Sequence, residues 1–392
     1  MRAGIISLVA AYVMSQFYRA FLAVLAPVLE VDIGATPEDL AFASGLWFLI
    51  FAGFQIPVGA ALDRIGPRVT ATVLFALGGA GGALIFAMAT APWHITLAMA
   101  LIGIGCSPVL MASYFIFARA FSAAVFGTLA GATIGFGSIG NIVSAAPMAW
   151  AVENFGWRET VFGLAVITLS ISVAVWLTVK DPEKVASEER GSVLTLLFMP
   201  ALWPIFAMMF VNYAPAAALR GLWVAPYMGE VFGADVSRIG TVTLVMGLAM
   251  IAGNFIYGPM DRLFGTRKWV IFAGNGIGAL GCFALYLFAD KQIWSSTALL
   301  ALVGFSGSSF PLVVAHAKAF FPTHLTGRGV TLINLFGVGG VGVFQFATRP
   351  IYESSRISAE ASADPFRALF LFFGLALSAG LLVYLLSQDR TD

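Results

Sequence analysis

The chain has 392 residues, 60% of them hydrophobic and only 10% charged, with 42 glycines and 35 phenylalanines. An ordinary soluble domain carries roughly a quarter charged residues, so this composition belongs to a membrane protein with short loops. A formal net charge of +1, without a basic stripe to neutralise phosphates, excludes nucleic acid as a partner.

A bilayer core needs about 20 mostly apolar residues per helix. By that measure the chain reads as all-α with twelve spans, near 4–29, 38–62, 69–90, 94–118, 125–152, 158–179, 200–229, 235–261, 268–288, 294–318, 326–352 and 364–387. The N-terminal run MRAGIISLVAAYVMSQ begins like a signal peptide, but it continues too far and many similar runs follow, so it is read as the first span. One sizeable polar stretch, KDPEKVASEERGS from Lys180 to Ser192, separates spans six and seven. It predicts a six-helix bundle over 1–179, a cytoplasmic linker over 180–199 and a second six-helix bundle over 200–392. Cys106 and Cys282 lie in different apolar runs without metal-ligand spacing and read as packing residues. No metal or cofactor site is expected.

If the N-terminus is cytoplasmic, 13 basic residues fall on the cytoplasmic side and 6 on the other, with Arg19 and Arg220 inside spans. The positive-inside rule then places both termini in the cytoplasm. The halves also repeat. Asp63-Arg64 recurs as Asp261-Arg262 at an offset of 198, Gln55 has Asn254 at 199, and Phe136-Gly137 recurs as Phe336-Gly337 at 200. Internal duplication, with a site at the repeat interface, marks secondary transporters.

Between spans two and three the sequence reads GAALDRIGPR, Gly59 to Arg68, and the second half carries GPMDRLFGTRK from Gly258. Asp63 is placed to pair with basic side chains and a neighbouring helix end on the cytoplasmic face. It would thereby latch the halves in one state, with Gly59, Arg64, Arg68, Asp261 and Arg262 as the other latch candidates. A solvated turn that merely obeys positive-inside is the alternative. With this motif the chain resembles the major facilitator superfamily, over essentially its whole length. The resemblance implies the major facilitator fold, twelve transmembrane helices in two pseudo-symmetric six-helix bundles.

GFGSIG (135–140) and GVGGVG (337–342) match the dinucleotide pattern G-x-G-x-x-G, but they lie inside apolar spans rather than between a strand and a helix start. Gly127, Gly131 and Gly135 are four apart, which bares one helix face for a close neighbour. Helix packing is the reading.

Arg19 and Arg220 stand inside spans one and seven at an offset of 201, each seven residues after a tyrosine, Tyr12 and Tyr213. Seven residues is about two helical turns, so each Tyr and Arg share a face. Ser15 and Gln16 extend the polar face in span one, and Trp223 and Tyr227 extend it in span seven. An arginine at this depth costs about 2.5–3.5 kcal/mol on insertion scales and cannot shed its proton. Yet all 20 acidic residues fall in loops or at span ends. The substrate is the simplest missing counter-ion, because two guanidinium forks can hold a carboxylate or phosphate. Tyrosine hydroxyls, backbone carbonyls and cavity water could instead satisfy the arginines.

One arginine in span one after Tyr18, and one in span seven before Trp223-Val-Ala-Pro226, is similar to the organophosphate:phosphate antiporters and the wider anion:cation symporter group. There the paired arginines bind the anionic group. The asparagine common just after the first arginine is replaced by Ala20 and Phe21, which departs from the group's usual substrates.

Tyr114, Asn141, Asn212, Tyr257, His316, Asn334 and Gln345 are further polar residues in spans, read as helix–helix hydrogen bonds or ligand contacts. His316 titrates near physiological pH in its free form; it could carry a coupling proton or simply bond near the cytoplasmic end. Trp47, Trp223 and Tyr227 would wall the cavity.

The sequence therefore predicts a secondary active transporter of a small organic anion (carboxylate, phosphate ester or sulfonate) by alternating access in the cell inner membrane. Expected substrate contacts are Arg19, Arg220, Tyr12, Gln16, Tyr18, Tyr213, Trp223, Tyr227, Tyr114, His316, Asn334 and Gln345. Expected partners are the anion, the lipid bilayer and a coupling proton or sodium ion, with the chain working as a monomer. A proton-coupled exporter of amphipathic drugs or metabolites is the alternative, disfavoured because such exporters resemble one another in a membrane-embedded Asp or Glu. No His, Cys or carboxylate cluster points to an enzyme.

Overall fold

The computed structural model describes residues 2–35, 37–183, 192–357 and 359–391, so the middle of the expected linker, residues 184–191, lies outside the described residues. Among the described residues every regular element is helical. Eleven stretches are long and apolar enough to cross a membrane. These are span 2 (Phe42–Arg64), span 3 (Pro67–Ala87), span 4 (Pro92–Ala120), span 5 (Val125–Phe155), span 6 (Trp157–Thr178), span 7 (Pro200–Phe232), span 8 (Arg238–Phe264), span 9 (Lys268–Phe288), span 10 (Ile293–Lys318), span 11 (Thr323–Ile357) and span 12 (Asp364–Tyr384). Span 1 differs from its expected form as one helix. It is two pieces, Arg2–Tyr18 and Leu22–Ile33, neither long enough to cross alone. Along the spans, large apolar side chains such as Leu77 and Phe346 stay exposed, an arrangement that hydrocarbon stabilises and water does not.

The chain forms two compact units, Met1–Ser122 with Thr133–Val193 and Pro322–Leu332, and Ala123–Ala132 with Leu194–Phe321 and Ile333–Asp392. In the first, span 2 packs along span 4, and spans 1 and 3 each lie against spans 4 and 6. In the second, span 8 packs along span 10, and spans 7 and 9 each lie against spans 10 and 12. The repeat in sequence is thus a repeat of packing, six spans apart.

Irregularities repeat as well. Span 4 parts after Cys106 and resumes at Val109; span 10 parts after Gly307 and resumes at Phe310. Backbone groups freed inside a membrane must find partners within the protein. Gln55 Nε2 donates to the Ser107 carbonyl at 3.3 Å. At the second break the Ser308 hydroxyl donates to the Met250 carbonyl at 2.8 Å, where Asn254 Nδ2 also donates at 2.9 Å. The repeat pair Gln55 and Asn254 therefore stands beside a broken helix in each unit. The glycine runs serve packing: a Cβ on Gly140 would strike the Val13 carbonyl of span 1, and one on Gly340 the Phe210 carbonyl of span 7. Only glycine lets those backbones approach so closely.

Each unit also closes on a carboxylate that follows its last span. Asp181 accepts the Arg68 N–H at 2.8 Å at the start of span 3. Asp389 accepts the N–H groups of Arg267 at 3.2 Å and Lys268 at 3.0 Å, with the Thr266 hydroxyl, at the start of span 9. Negative charge is favourable at a helix N-terminus. Partial burial works against ionising Asp389, but these hydrogen bonds outweigh it and hold its pKa below the ordinary carboxylate range.

Candidate functional site

Arg19 occupies the break in span 1. There the Phe17 carbonyl accepts from both Ala20 and Phe21 N–H at 3.1 Å, a tightened turn in place of continuous helix. The guanidinium carbon lies 5.3 Å from the Trp47 ring centroid and 5.1 Å from that of Phe51. Those two rings stack at 5.0 Å with 15° between planes, and both are buried. A cation on aromatic faces recovers part of its lost hydration, about 0.5–2 kcal/mol. Arg19 Nε is nevertheless buried without a hydrogen-bond partner. Among the described residues no carboxylate pairs with it. One turn earlier the Gln16 Oε1 is likewise buried and unpartnered. The Tyr12 ring lies against Gly137 of span 5, and Tyr114 of span 4 is fully buried.

Arg220 sits in a five-residue π-turn, Leu219–Trp223. Such single wide turns concentrate at functional sites. Its Nε is also buried without a partner, and again no described carboxylate pairs with it. Gln345 comes close by, its Nε2 4.0 Å from where a Cβ on Gly221 would stand. The Trp223 ring lies 4.7 Å from Tyr352, and its Nε1 is buried and unpartnered, as is Asn334 Nδ2. Tyr213 marks a second irregularity, between the helices Trp203–Asn212 and Ala214–Ala218, with its ring edge-on to Phe310 at 6.1 Å.

Three expected contacts have their polar atoms bound within the protein. Tyr18 turns away from its neighbour Arg19; its fully buried hydroxyl meets Thr168 Oγ1 of span 6 at 2.8 Å. The Tyr227 hydroxyl is held by the Ala289 carbonyl and Ser296 Oγ at 2.5 and 2.9 Å. His316, fully buried, is bound at both nitrogens, Nδ1 by the Tyr384 hydroxyl at 2.7 Å and Nε2 by the Gln388 carbonyl at 2.8 Å. A carbonyl only accepts, so Nε2 carries the proton and Nδ1 receives the Tyr384 O–H. That arrangement ties span 10 to the end of span 12. Conversely, Phe51 beneath Arg19 and Gly247 beneath Arg220 were not singled out from sequence. Nothing marks a phenylalanine as the seat of a cation until the fold aligns it, and Gly247 signals itself only as an interior helix glycine with no turn to make.

The latch candidates divide. Asp63 Oδ1 accepts the Gly327 N–H at 2.8 Å and Oδ2 the Arg328 N–H at 3.1 Å, with Arg328 Nε at 3.9 Å. Gly59 lies against the same helix start, 3.0 Å from its would-be Cβ to the Arg328 Cα. Arg68 belongs to the bundle instead: its Nε donates to the Trp176 carbonyl at 2.7 Å and its guanidinium covers the Trp176 ring. Arg64 is exposed. In the second copy Asp261 pairs with Arg267 Nε at 3.0 Å, both buried, and Arg262 Nη2 donates to Thr128 Oγ1 at 2.6 Å.

The family model of the Major Facilitator Superfamily matches residues 8–220 and 205–392. The chain belongs to the major facilitator superfamily. As a facilitator it is 22% identical to the probable sulfoacetate transporter SauU of Cupriavidus necator, covering 97% of this chain and 93% of that one. It is 22% identical to a putative tartrate transporter of Agrobacterium vitis, covering 85% and 83%. The proton:xylose symporter XylE shares the fold with a TM-score of 0.78 at 14% identity, over 99% of this chain and 96% of that one.

In this facilitator the two intraspan arginines share one chemical condition. Each guanidinium rests on the second span of its own unit and keeps a buried N–H unspent. A guanidinium in that condition can donate its Nε–H to an oxyanion without that N–H first giving up a bond inside the protein.

Proposed function

We propose that this facilitator is a secondary active transporter of a small organic anion, a carboxylate, phosphate ester or sulfonate, moved by alternating access. Arg19 and Arg220 are its cationic contacts. The observation that carries this reading is the buried, unpartnered Nε of each arginine, a permanent charge for which the described residues supply no carboxylate. Leaving such a charge unmatched is costly, and an anionic substrate removes the cost when it binds. The sulfoacetate and tartrate transporters among its relatives support the same substrate class. Gln16, Tyr12 and Tyr114 are proposed as polar contacts beside Arg19. Tyr213, Trp223, Asn334 and Gln345 are proposed beside Arg220. The excess of basic residues on one side of the span map supports a multi-pass inner-membrane protein with both termini cytoplasmic. Asp63 and Gly59 are proposed as a latch.

Uptake by purified protein in proteoliposomes tests the reading, with sulfoacetate, tartrate, a sugar phosphate and a neutral sugar as candidates. Anion uptake lost in Arg19→Gln and in Arg220→Gln is the expected result. Transport of a neutral or cationic compound, unaffected by either substitution, would overturn it.

A further inference from the structure

Span 8 lies in one unbroken helix, Val236–Phe264, and Gly247 sits in its interior without a positive φ to call for glycine. Glycine in a helix interior is less stable than alanine, so its presence asks for a reason in space. Arg220 supplies it. A Cβ on Gly247 would stand 3.3 Å from Nη2, 3.5 Å from Nε and 3.6 Å from Cζ of Arg220, and these are its nearest atoms. Both nitrogens stand nearer than the carbon between them, so the guanidinium turns its Nε–Nη2 side toward the bare backbone of span 8.

The first unit seats its arginine differently. Arg19 faces the rings of Trp47 and Phe51 in span 2. The repeat positions in span 8, at the offset of 199, are Met246 and Met250. Both methionines turn instead to Gly304 of span 10, with their Cγ atoms at 3.1 and 3.0 Å from its would-be Cβ. In the second unit the aromatic seat is replaced by an absence of side chain.

We infer that Gly247 is a positioning residue that fixes the orientation of the Arg220 guanidinium for contact with the transported anion. The inference rests on the anion reading of Arg220. A fork works only when its orientation is set, and here its Nε–Nη2 side rests against Gly247. A methyl group there would crowd Nη2 by a few tenths of an ångström, and larger side chains would compete for the whole seat.

Four purified proteins test the seat by thermal unfolding: wild type, Gly247→Ala, Arg220→Ala and the double variant. Alanine should raise the melting temperature in the Arg220→Ala background, where the space is empty. With Arg220 present the rise should be smaller or absent, because the guanidinium must give by a few tenths of an ångström. An equal rise in both backgrounds overturns the seat. If Gly247→Ala folds only in the Arg220→Ala background, the seat stands. Proteoliposome uptake of tartrate and sulfoacetate supplies the functional arm. For whichever is transported, Gly247→Ala should raise the half-saturating concentration about tenfold, with maximal rate changed less than about threefold. An unchanged half-saturating concentration overturns the positioning role. Should Arg220→Ala leave anion uptake intact, the anion reading of Arg220 falls, while the melting cycle still decides whether Gly247 seats it.

Discussion

The Asp63 carboxylate sits on the first free N–H groups of the helix that begins at Thr326, accepting from Gly327 at 2.8 Å and Arg328 at 3.1 Å. Its repeat mate Asp261 has no such opportunity. The helix of span 5 begins at Ala123, so the N–H groups of Gly127 and Thr128 are already inside the helical ladder. Asp261 takes Arg267 instead, and its Oδ1 remains buried without a partner. Two copies of one motif therefore make different bonds.

Substitution should separate them. Asp63→Asn removes a charge from a helix N-terminus, worth about 0.5–2 kcal/mol. It should slow transport while half-saturation changes by less than about tenfold, or 1.4 kcal/mol. Asp261→Asn strands a buried arginine, a loss of about 3–5 kcal/mol, and should appear first as a lowered melting temperature. Equal transport by Asp63→Asn and wild type at matched expression would count against the latch.

His316→Gln should leave the pH profile of uptake unchanged between about pH 5 and 8, because both ring nitrogens are already bound within the protein. Its effect should be structural, about 1–3 kcal/mol for a buried bond left unmade, read as a melting-temperature loss. Tyr384→Phe should reproduce part of that loss. A flattened pH profile in His316→Gln would restore the proton-carrying role.

Arg19→Lys and Arg220→Lys keep the charge but lose the planar fork, so both should impair anion uptake. Truncating either arginine should weaken binding by about 2–5 kcal/mol, roughly 30- to several-thousand-fold. Without anion, Arg220→Gln should raise the melting temperature more than Arg19→Gln. The rings of Trp47 and Phe51 already offset part of the Arg19 charge. Melting curves of the three proteins in anion-free buffer decide the order.

Asp389 has a folded pKa below its ordinary value, so its bonds stabilise the fold above about pH 4. That contribution is lost as pH falls through the depressed folded value. Asp389→Asn should therefore melt below wild type at pH 7, and the gap should narrow only below about pH 4. A gap already closed at pH 5.5 would show that the carboxylate is not what holds Thr266, Arg267 and Lys268.

Hydropathy and repeat spacing were enough for the membrane class, the span positions from the second onward, the duplication, and the two arginines with no carboxylate at their depth. Those features depend on how much apolar chain a bilayer needs and on charge that cannot be hidden, and both are written along a single strand of sequence. Packing partners are not. Whether Tyr18 faces its neighbour Arg19 or Thr168 of span 6 depends on how its helix packs on span 6 and on a break at Arg19–Phe21 that no propensity foretells. For His316 the sequence leaves a proton carrier and a plain hydrogen-bonding residue side by side, and its partners Tyr384 and Gln388, about 70 residues away, are visible only in the fold. Asp63 and Asp261 share a motif, yet the point at which each facing helix begins decided which one caps it. Gly247 acquired a role only when span 7 laid Arg220 across it. In each case the deciding term is a contact between residues far apart in the chain, whose energy is felt only after the helices have packed.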